Sequence, residues 1–258
     1  MQKRKHTIMA HPPSATPGRI GRRSGALRAL ATWAARALYP DHCGLCLAPL
    51  PEGGAICPGC REDLVRVEAP CPGCAAPLPV TVACPACQRR PLALDSLRAP
   101  WAYAWPLDRV LLAYKRSGYA RAERILVELA AQAARERRAA PTLLPTRVVP
   151  VPLHPSRLRE RGFNQCEPLA RCVAEVLGLP LDAACVRRVR ATPSQQTLSG
   201  PQRRRNLRDA FAVKAELADE RVLLVDDVVT TGATLDALAR ALRAAGAASV
   251  EGLALARA

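Results

Sequence analysis

The stretch RVLLVDDVVTTGATLDAL, residues 221–238, constrains the fold of this chain more than any other sequence feature. Its uninterrupted apolar run is typical of a β-strand that is buried on both faces. Two adjacent carboxylates, Asp226 and Asp227, end the run, and a Thr-Thr-Gly turn then leads into a helical pattern that stops at Gly246. The stretch therefore predicts one strand–turn–helix unit of a layered α/β fold.

From about Leu94 onward, the rest of the chain alternates between the same two patterns. Helical periods run through LDRVLLAYKRSGY, ARAERILVELAAQAARERRA and FNQCEPLARCVAEVLGL, and strand patterns run through TRVVPVPL, ACVRRVRAT, DAFAV and SVEGLALA. This alternation predicts a mostly parallel sheet flanked by helices. The segment WAYAW would, as a strand, place Trp101, Tyr103 and Trp105 on one face. We expect that face to be buried, and base stacking is the alternative.

Eight of the eleven cysteines form four Cys-x-x-Cys pairs in a segment too short and irregular to close a hydrophobic core alone. Two residues between thiolates let a tight turn present both sulfurs to one metal, and two such turns complete a zinc tetrahedron. About ten residues separate the pairs within each half, which favours two sequential zinc ribbons over interleaved pairing. The predicted ligands are Cys43, Cys46, Cys57 and Cys60 for one zinc, and Cys71, Cys74, Cys84 and Cys87 for the other.

A disulfide framework and an iron–sulfur site are the alternatives for these cysteines, and His42 is an alternative ligand beside Cys43. Disulfides would need an oxidising compartment, but the arginine pair at residues 22–23 precedes a stretch too short and too charged for an export signal. Four thiolates leave no open position, so the metal is predicted to be structural. The isolated Cys166, Cys172 and Cys185 are interpreted as small buried apolar residues.

The chain divides by composition into three parts. Residues 1–24 carry Pro, Ser, Gly and basic residues without periodicity, which predicts a disordered basic leader. Residues 25–92 would hold an amphipathic helix, stopped by Pro40, and the double zinc ribbon; residues 93–258 would form the α/β domain. No apolar run approaches the ~20 residues that span a bilayer, so we expect a cytoplasmic protein, with a peripheral position at the inner membrane as the alternative. The net charge of +16 predicts an anionic partner or substrate.

The turn after Asp227 has the composition of a phosphate-binding loop. Ligands bind at the carboxyl ends of parallel strands, where a following helix offers free N–H groups and the positive end of its dipole. Gly232 lets the backbone approach an anion, and Thr230, Thr231 and Thr234 add hydroxyl donors. Carboxylates repel phosphate, but they can accept hydrogen bonds from ribose hydroxyls or hold these hydroxyls through a magnesium ion. A sugar with a 5′-phosphate therefore fits the whole stretch.

Two other segments predict sites for a second anion. In VVPVPLHPSRLRERGFNQ the strand ends at Pro152, and we expect a basic loop with His154, Arg157 and Arg161 to follow. The segment TPSQQTLSGPQRRRNLRDAF, residues 192–211, is predicted to be a mobile arginine-rich loop that closes over this anion and excludes water.

The stretch VLLVDDVVTTGAT resembles the signature of type I phosphoribosyltransferases. Together with the cysteine module, LLAYKRSGY and the two basic segments, it resembles the ComF family, phosphoribosyltransferase-like proteins linked to DNA uptake in naturally competent bacteria. This resemblance covers about residues 38–258. It implies a type I phosphoribosyltransferase-like fold that binds phosphoribosyl pyrophosphate with magnesium. It also implies binding of single-stranded DNA and work with the inner-membrane DNA-uptake machinery.

The resemblance further assigns roles to individual residues. Asp226 and Asp227 match the acids that bind ribose, and with Lys115 they are the implied catalytic residues. The match to the 5′-phosphate loop and its surroundings covers Val228, Thr230, Thr231, Gly232, Ala233 and Thr234. The implied contacts to pyrophosphate or substrate are Lys115, His154, Arg157, Arg161 and Asn164.

Competing functions remain open from the sequence. The first is a phosphoribosyltransferase whose acceptor is undefined. Several nucleotide-salvage enzymes that the chain resembles place base-recognising residues beyond the strand that here ends near Ala258, so we expect little from which to build a nucleobase pocket unless the zinc module supplies it. The second is a non-catalytic factor that binds single-stranded DNA and keeps the sugar-phosphate site as a sensor or anchor. A regulator of purine genes is a weaker interpretation, because no helix-turn-helix pattern is evident.

Overall fold

The structure is a computed structural model that describes residues 41–190 and 210–258. The predicted leader, the first amphipathic helix and nearly all of the arginine-rich loop lie outside these residues. In chain order the elements are β1 (Asp41–His42), β2 (Pro49–Leu50), α1 (Pro58–Glu62), α2 (Pro85–Arg89), β3 (Ser96–Arg98), β4 (Trp101–Ala102), α3 (Leu107–Ser117), α4 (Ala120–Ala139), β5 (Arg147–Pro150), α5 (Pro155–Arg161), α6 (Cys166–Leu177), β6 (Val186–Arg188), β7 (Phe211–Val213), β8 (Arg221–Val229), α7 (Ala233–Ala244) and β9 (Ser249–Arg257).

Five parallel strands form the central sheet. The long strand β8 lies between β5 and β9, and both β3 and β4 pair with the far side of β9. The inner residues of β8, Val222–Val225, are almost completely buried, as expected for a strand covered on both faces. The predicted parallel α/β sheet is therefore confirmed.

Helices cover both faces of this sheet. Successive side chains of a strand point to opposite faces, so Leu223 of β8 packs with residues of α3, α4 and α6, whereas Leu224 packs with residues of α7. Helix α6 ends at Gly178, which adopts the left-handed conformation that the glycine predicts. A separate antiparallel pair, β6 and β7, flanks the arginine-rich loop, as the patterns of ACVRRVRAT and DAFAV predict.

The expectation of a buried aromatic face in WAYAW is wrong for Trp105. Strand β4 covers only Trp101 and Ala102, and Trp101 is 2% exposed whereas Trp105 is 65% exposed. The Ala104 amide donates to the Ala102 carbonyl, so the chain turns away from the sheet before Trp105. Strict alternation across this segment would require a strand that continues for three more residues.

The expectation of a basic loop after Pro152 is also wrong, because residues 155–161 form helix α5. Pro155 lies at the start of the helix, where its missing N–H is not needed, and the His154 ring accepts a hydrogen bond from the Ser156 amide. Gly162 ends the helix in the left-handed conformation. A proline at the start and a glycine at the end are local signals that predict this short helix.

Membrane crossing is not indicated for any helix in the described ranges, since none has the length and apolar content that it requires.

Candidate functional site

The eight paired cysteines form two clusters, and within each the four sulfur atoms lie within 4.8 Å of one another. The grouping is the sequential one that the spacing predicts. The Sγ atoms of Cys46 and Cys57 are 3.6 Å apart, as are those of Cys74 and Cys84. A tetrahedral zinc with bonds of about 2.3 Å requires sulfur separations of about 3.8 Å, whereas a disulfide bond is about 2.05 Å long. The clusters therefore have the dimensions of structural zinc sites.

Backbone amides favour the thiolate form of one ligand in each cluster, Cys43 and Cys71, whereas burial and the neighbouring sulfurs raise the pKa of Cys60, Cys74 and Cys87. The Cys57 amide donates to Cys43 Sγ at 3.4 Å, and the Cys84 amide donates to Cys71 Sγ at 3.3 Å. Burial acts to raise the pKa of Cys43 and Cys71, but the amide hydrogen bonds outweigh it and lower both to about 6. Thiolates that form near neutral pH are ready metal ligands.

Each ribbon packs directly on the α/β part of the chain. In the first ribbon, Arg61 pairs with Glu128 of α4, and a Cβ on Gly44 would lie 2.5 Å from Ile125 of the same helix. In the second, the carbonyl of Cys74 accepts a hydrogen bond at 3.2 Å from Arg257 of β9. The ribbons and the sheet therefore stabilise each other within one compact unit, which begins at Asp41.

Asp226 and Asp227 lie near the carboxyl end of β8, and α3 contributes a lysine to them. Lys115 Nζ lies 2.6 Å from Asp227 Oδ2, and Asp227 is only 4% exposed. Burial opposes the charge on Lys115, yet the Asp227 carboxylate raises the pKa of this lysine above its usual value. Burial and then the charge of Asp227 raise the pKa of Asp226 to about 7. The structure thus brings the three implied catalytic residues together.

Cys166 also lies in this site. On the sequence alone we interpreted it as a small buried apolar residue and did not predict its contact with the acids. At the start of α6, its Sγ donates to Asp226 Oδ1 at 3.3 Å, and the residue is 1% exposed. Burial, followed by the charges of Asp226 and Asp227, raises the pKa of the Cys166 thiol well above its usual value. Cys172 and Cys185, by contrast, donate to backbone carbonyls away from the acids. Nothing in the local sequence distinguishes Cys166 from these two.

The turn between β8 and α7 depends on Gly232. Its φ of 73° lies in the left-handed region, and an added Cβ would meet Leu92 Cδ1 at 2.8 Å. Thr231 Oγ1 accepts a hydrogen bond from the Ala233 amide at 3.3 Å. Of the predicted loop residues, Thr230 and Thr231 are exposed, Val228 and Thr234 are partly buried, and Gly232 and Ala233 are buried. The turn therefore exposes Thr230 and Thr231 to solvent shortly after the two acids.

An arginine of β6 lies within electrostatic range of Asp226 and of a second arginine. Burial lowers the pKa of Arg188, the neighbouring charge of Arg157 lowers it further, and the charge of Asp226 acts in the opposite direction. Arg157 of α5 and Arg188 of β6 are therefore within electrostatic range of each other, and Arg188 is within range of Asp226. We did not predict a role for Arg188, because only the β6–β7 pairing brings it here.

The other predicted contact residues are engaged locally. Besides capping α5, the His154 ring lies 2.7 Å from Ser156 Oγ, and Arg161 donates to Gln165 at 2.6 Å. Asn164 donates to the Val151 carbonyl at 3.2 Å and accepts from the Cys166 amide at 3.2 Å. These contacts join the end of β5 to the start of α6, and so they hold Cys166 beside Asp226.

Comparison with protein families agrees with both parts of the chain. A phosphoribosyl transferase domain model matches residues 164–258, and a double zinc ribbon domain model matches residues 34–88. With the parallel sheet and the two thiol clusters, these matches define the class: a type I phosphoribosyltransferase-like domain preceded by a double zinc ribbon.

Similar curated proteins then identify the family. The DNA utilization protein YhgH of Salmonella typhimurium is 34% identical over 218 residues, which cover 82% of this chain and 95% of that protein. The YhgH protein of Escherichia coli K12 is 35% identical over 82% of this chain and 95% of that protein. Competence protein F of Haemophilus influenzae is 32% identical over 79% of this chain and 90% of that protein. The chain belongs to the ComF family.

Solved structures are more distant. The glutamine phosphoribosylpyrophosphate amidotransferase from B. subtilis is 20% identical with a TM-score of 0.36, over 52% of this chain and 26% of that chain. A purine phosphoribosyltransferase from Pyrococcus horikoshii is 20% identical with a TM-score of 0.31, over 59% of this chain and 73% of that chain.

Proposed function

We propose that this protein binds phosphoribosyl pyrophosphate with magnesium at the carboxyl end of β8 and transfers the phosphoribosyl group to an acceptor. One observation carries the proposal: the pair Asp226 and Asp227, held by Lys115, lies directly before a left-handed Gly232 turn at the start of α7. This arrangement combines acceptors for ribose hydroxyls with donors for a phosphate.

Each part of the substrate has its own partners in this proposal. The ribose hydroxyls donate to Asp226 and Asp227, and the 5′-phosphate accepts from the turn formed by residues 230–234. Magnesium suits carboxylate oxygens and phosphates, and when bound it neutralises charge on the pyrophosphate. Asp226 and Asp227 are the residues that would hold it.

The transfer step breaks the bond between ribose C1 and the pyrophosphate oxygen, which leaves with the electron pair. The acceptor's lone pair forms the new bond to C1, and the acceptor's proton passes to solvent or to a base on the acceptor. Lys115, Arg157 and Arg188 stabilise the negative charge that develops on the pyrophosphate, because positive groups in a partly buried site act at low dielectric.

The test compares a double carboxylate-to-amide variant with a single one by titration calorimetry with phosphoribosyl pyrophosphate and magnesium. Asp226→Asn with Asp227→Asn should weaken binding by at least about tenfold, because amides replace the anionic acceptors. Asp219→Asn is the matched control: Asp219 is exposed before β8, and asparagine tolerates its φ of 61°. Wild-type affinity in the double variant would refute the proposal. Release of pyrophosphate on addition of an acceptor separates transfer from binding.

We also propose that the protein binds single-stranded DNA and acts in the cytoplasm in the uptake of transforming DNA. The observation in favour is an exposed stripe: Arg109, Leu112 and Arg116 lie about one turn apart on α3, and Trp105 and Tyr119 are exposed just before and just after this helix. Aromatic rings stack on bases and arginines bind phosphates, so this stripe suits a single strand. The names of two relatives, DNA utilization protein YhgH and competence protein F, agree with this proposal.

This second proposal is tested by DNA binding at several salt concentrations. Arg109→Gln with Arg116→Gln should lower the salt slope by about 0.7 per arginine, and Trp105→Ala should weaken binding by about 1–3 kcal/mol. Arg171→Gln, on the exposed face of α6, is the control. Unchanged slopes would contradict the assignment of this stripe. To test the role in uptake, the stripe variants are introduced into a competent host, and we expect transformation to be lost.

A further inference from the structure

The two zinc ribbons pack on opposite faces of the central sheet. Cys43 and Ile56 of the first ribbon are buried in the apolar cluster that contains residues of α3, α4 and α6. Ala75 of the second ribbon is completely buried in the other cluster, together with Ala233 and Leu235 of α7. Because the phosphate turn of residues 230–234 leads into α7, the second ribbon shares its packing with this turn.

Arg257, the last residue of β9, connects the second ribbon to the end of β8. Its Nε donates to the carbonyl of Cys74 at 3.2 Å, and its Nη1 donates to the carbonyl of Val229 at 3.4 Å. Cys74 supplies one of the four thiols of the second cluster, and Val229 is the last residue before the phosphate turn. One guanidinium therefore spans from a zinc ligand's backbone to the residue after which the turn begins.

A second connection holds the far end of the same turn. The side chain of Leu92 lies against Gly232, where an added Cβ would be 2.8 Å from Leu92 Cδ1. The next amide, of Ala93, donates at 2.7 Å to Asp236 Oδ1 in the first turn of α7. Leu92 and Ala93 closely follow Cys87, the last thiol of the second cluster. The phosphate turn is thus held at both ends by residues that contact or adjoin the second ribbon.

The first ribbon is held by an arginine of its own, on a different element. Arg124 of α4 donates to Asp41 Oδ1 at 2.8 Å and to the carbonyl of Gly54 at 3.0 Å. These contacts fix the first ribbon to α4, which packs on the face of the sheet opposite α7. Arg124 and Arg257 therefore make the same kind of contact to the two ribbons, but only Arg257 also contacts the residue before the phosphate turn.

We propose that Arg257 is a positioning residue through which the second ribbon sets the affinity of the sugar-phosphate site. When this ribbon is folded around its zinc, Arg257 and Leu92 hold the phosphate turn in the conformation that binds a 5′-phosphate. Backbone amides bind a phosphate well only when they converge on it, so a loosened turn binds it more weakly. The inference rests on the proposed function, because it concerns the regulation of that same site.

The coupling has a necessary counterpart at the metal. Binding free energies of two coupled sites are reciprocal, so a sugar phosphate in the turn must tighten zinc in the second ribbon by the same factor by which zinc tightens the sugar phosphate. Zinc in the first ribbon has no such connection through Arg257 and should keep its affinity. Two zinc sites in one chain therefore respond differently to one small ligand.

Titration calorimetry with ribose 5-phosphate, a ligand for the turn that carries no pyrophosphate, tests the effect on affinity in zinc-loaded protein. Arg257→Met removes both donors but keeps an apolar stem, and it should bind at least about fivefold more weakly, as is typical of coupled sites. Arg257→Lys retains a donor for the two carbonyls and should recover part of the affinity. Arg124→Met is the matched control and should bind like wild type.

Each outcome of this titration decides a different point. Binding to wild type with equal affinity in Arg257→Met would overturn the inference alone, and so would an equal loss in Arg257→Met and Arg124→Met. If ribose 5-phosphate and phosphoribosyl pyrophosphate both fail to bind the wild type, the proposed function and this inference fall together.

Equilibrium competition with a zinc-binding dye gives the reciprocal measurement in wild-type protein, and so it decides the inference even if Arg257→Met fails to fold. Saturating ribose 5-phosphate should raise the affinity of one of the two zinc ions by at least about fivefold and leave the other unchanged. In Arg257→Met the same ligand should leave both zinc affinities nearly unchanged. An equal effect on both ions of the wild type, or an effect on neither, would overturn the inference.

Discussion

Gly232→Ala perturbs the phosphate turn in two ways that can be measured apart. At φ 73°, a residue with a Cβ costs about 1–2 kcal/mol in the left-handed region. The new methyl group would also lie 2.8 Å from Leu92 Cδ1, and this close contact costs a further 1–2 kcal/mol or so, because the end of a half-buried leucine can partly yield. We therefore expect a loss of about 2–4 kcal/mol in the free energy of unfolding.

The measurement is urea unfolding of zinc-saturated protein, monitored by circular dichroism. Gly178→Ala is the matched control, because Gly178 has a φ of 69° but its added Cβ would meet only Arg138 Nη2, at 3.9 Å. It should lose about 1–2 kcal/mol, the cost of the backbone conformation alone. In a Leu92→Ala background, Gly232→Ala should cost no more than this control, so the double-mutant cycle should give a coupling of about 1–2 kcal/mol.

A coupling near zero would refute this reasoning, because it would mean that Leu92 does not contact the turn. The contact matters for function since Leu92 follows the second zinc ribbon directly, and the next amide, of Ala93, donates to Asp236 of α7 at 2.7 Å. The end of the second ribbon is thereby joined to the turn that we propose for the 5′-phosphate.

Three further predictions follow from the structure. Lys115→Met should weaken binding of phosphoribosyl pyrophosphate in calorimetry and lower stability by about 1–3 kcal/mol, because it leaves Asp227 buried without its counter-charge; unchanged affinity would exclude Lys115 from the site. Glu251 forms an ion pair with Arg137, whose side chain is only 1% exposed, so Glu251→Gln should lower the free energy of unfolding in urea by about 3 kcal/mol. Glu167→Gln, which breaks an exposed pair with Arg171, should lower it by less than about 0.5 kcal/mol. Elemental analysis should find about two tightly held zinc ions per chain, and a strong chelator should unfold the ribbons; a zinc-free protein that stays folded would contradict the zinc assignment.

Local patterns account for most of what can be predicted from the sequence. The apolar run, the two acids and the Gly232 turn define a strand, its functional end and a helix start within one continuous segment. Cysteine spacing likewise defines the two zinc clusters, because each knuckle is closed by neighbouring residues. Helix α5 could have been predicted in the same way, since Pro155 and Gly162 are local signals that we interpreted as a loop.

The sequence by itself therefore determined the strand–turn–helix unit and the cysteine ligands, whose partners are close in the chain. Only the tertiary structure decided which distant groups meet the acids. The parallel register of β5 against β8 places Val151 beside Val225, and the contacts of Asn164 then bring Cys166 to Asp226, a residue 60 positions away. Lys115 reaches Asp227 because α3 packs on one face of the sheet. Such contacts depend on register and on helix packing, which no local pattern of residues encodes.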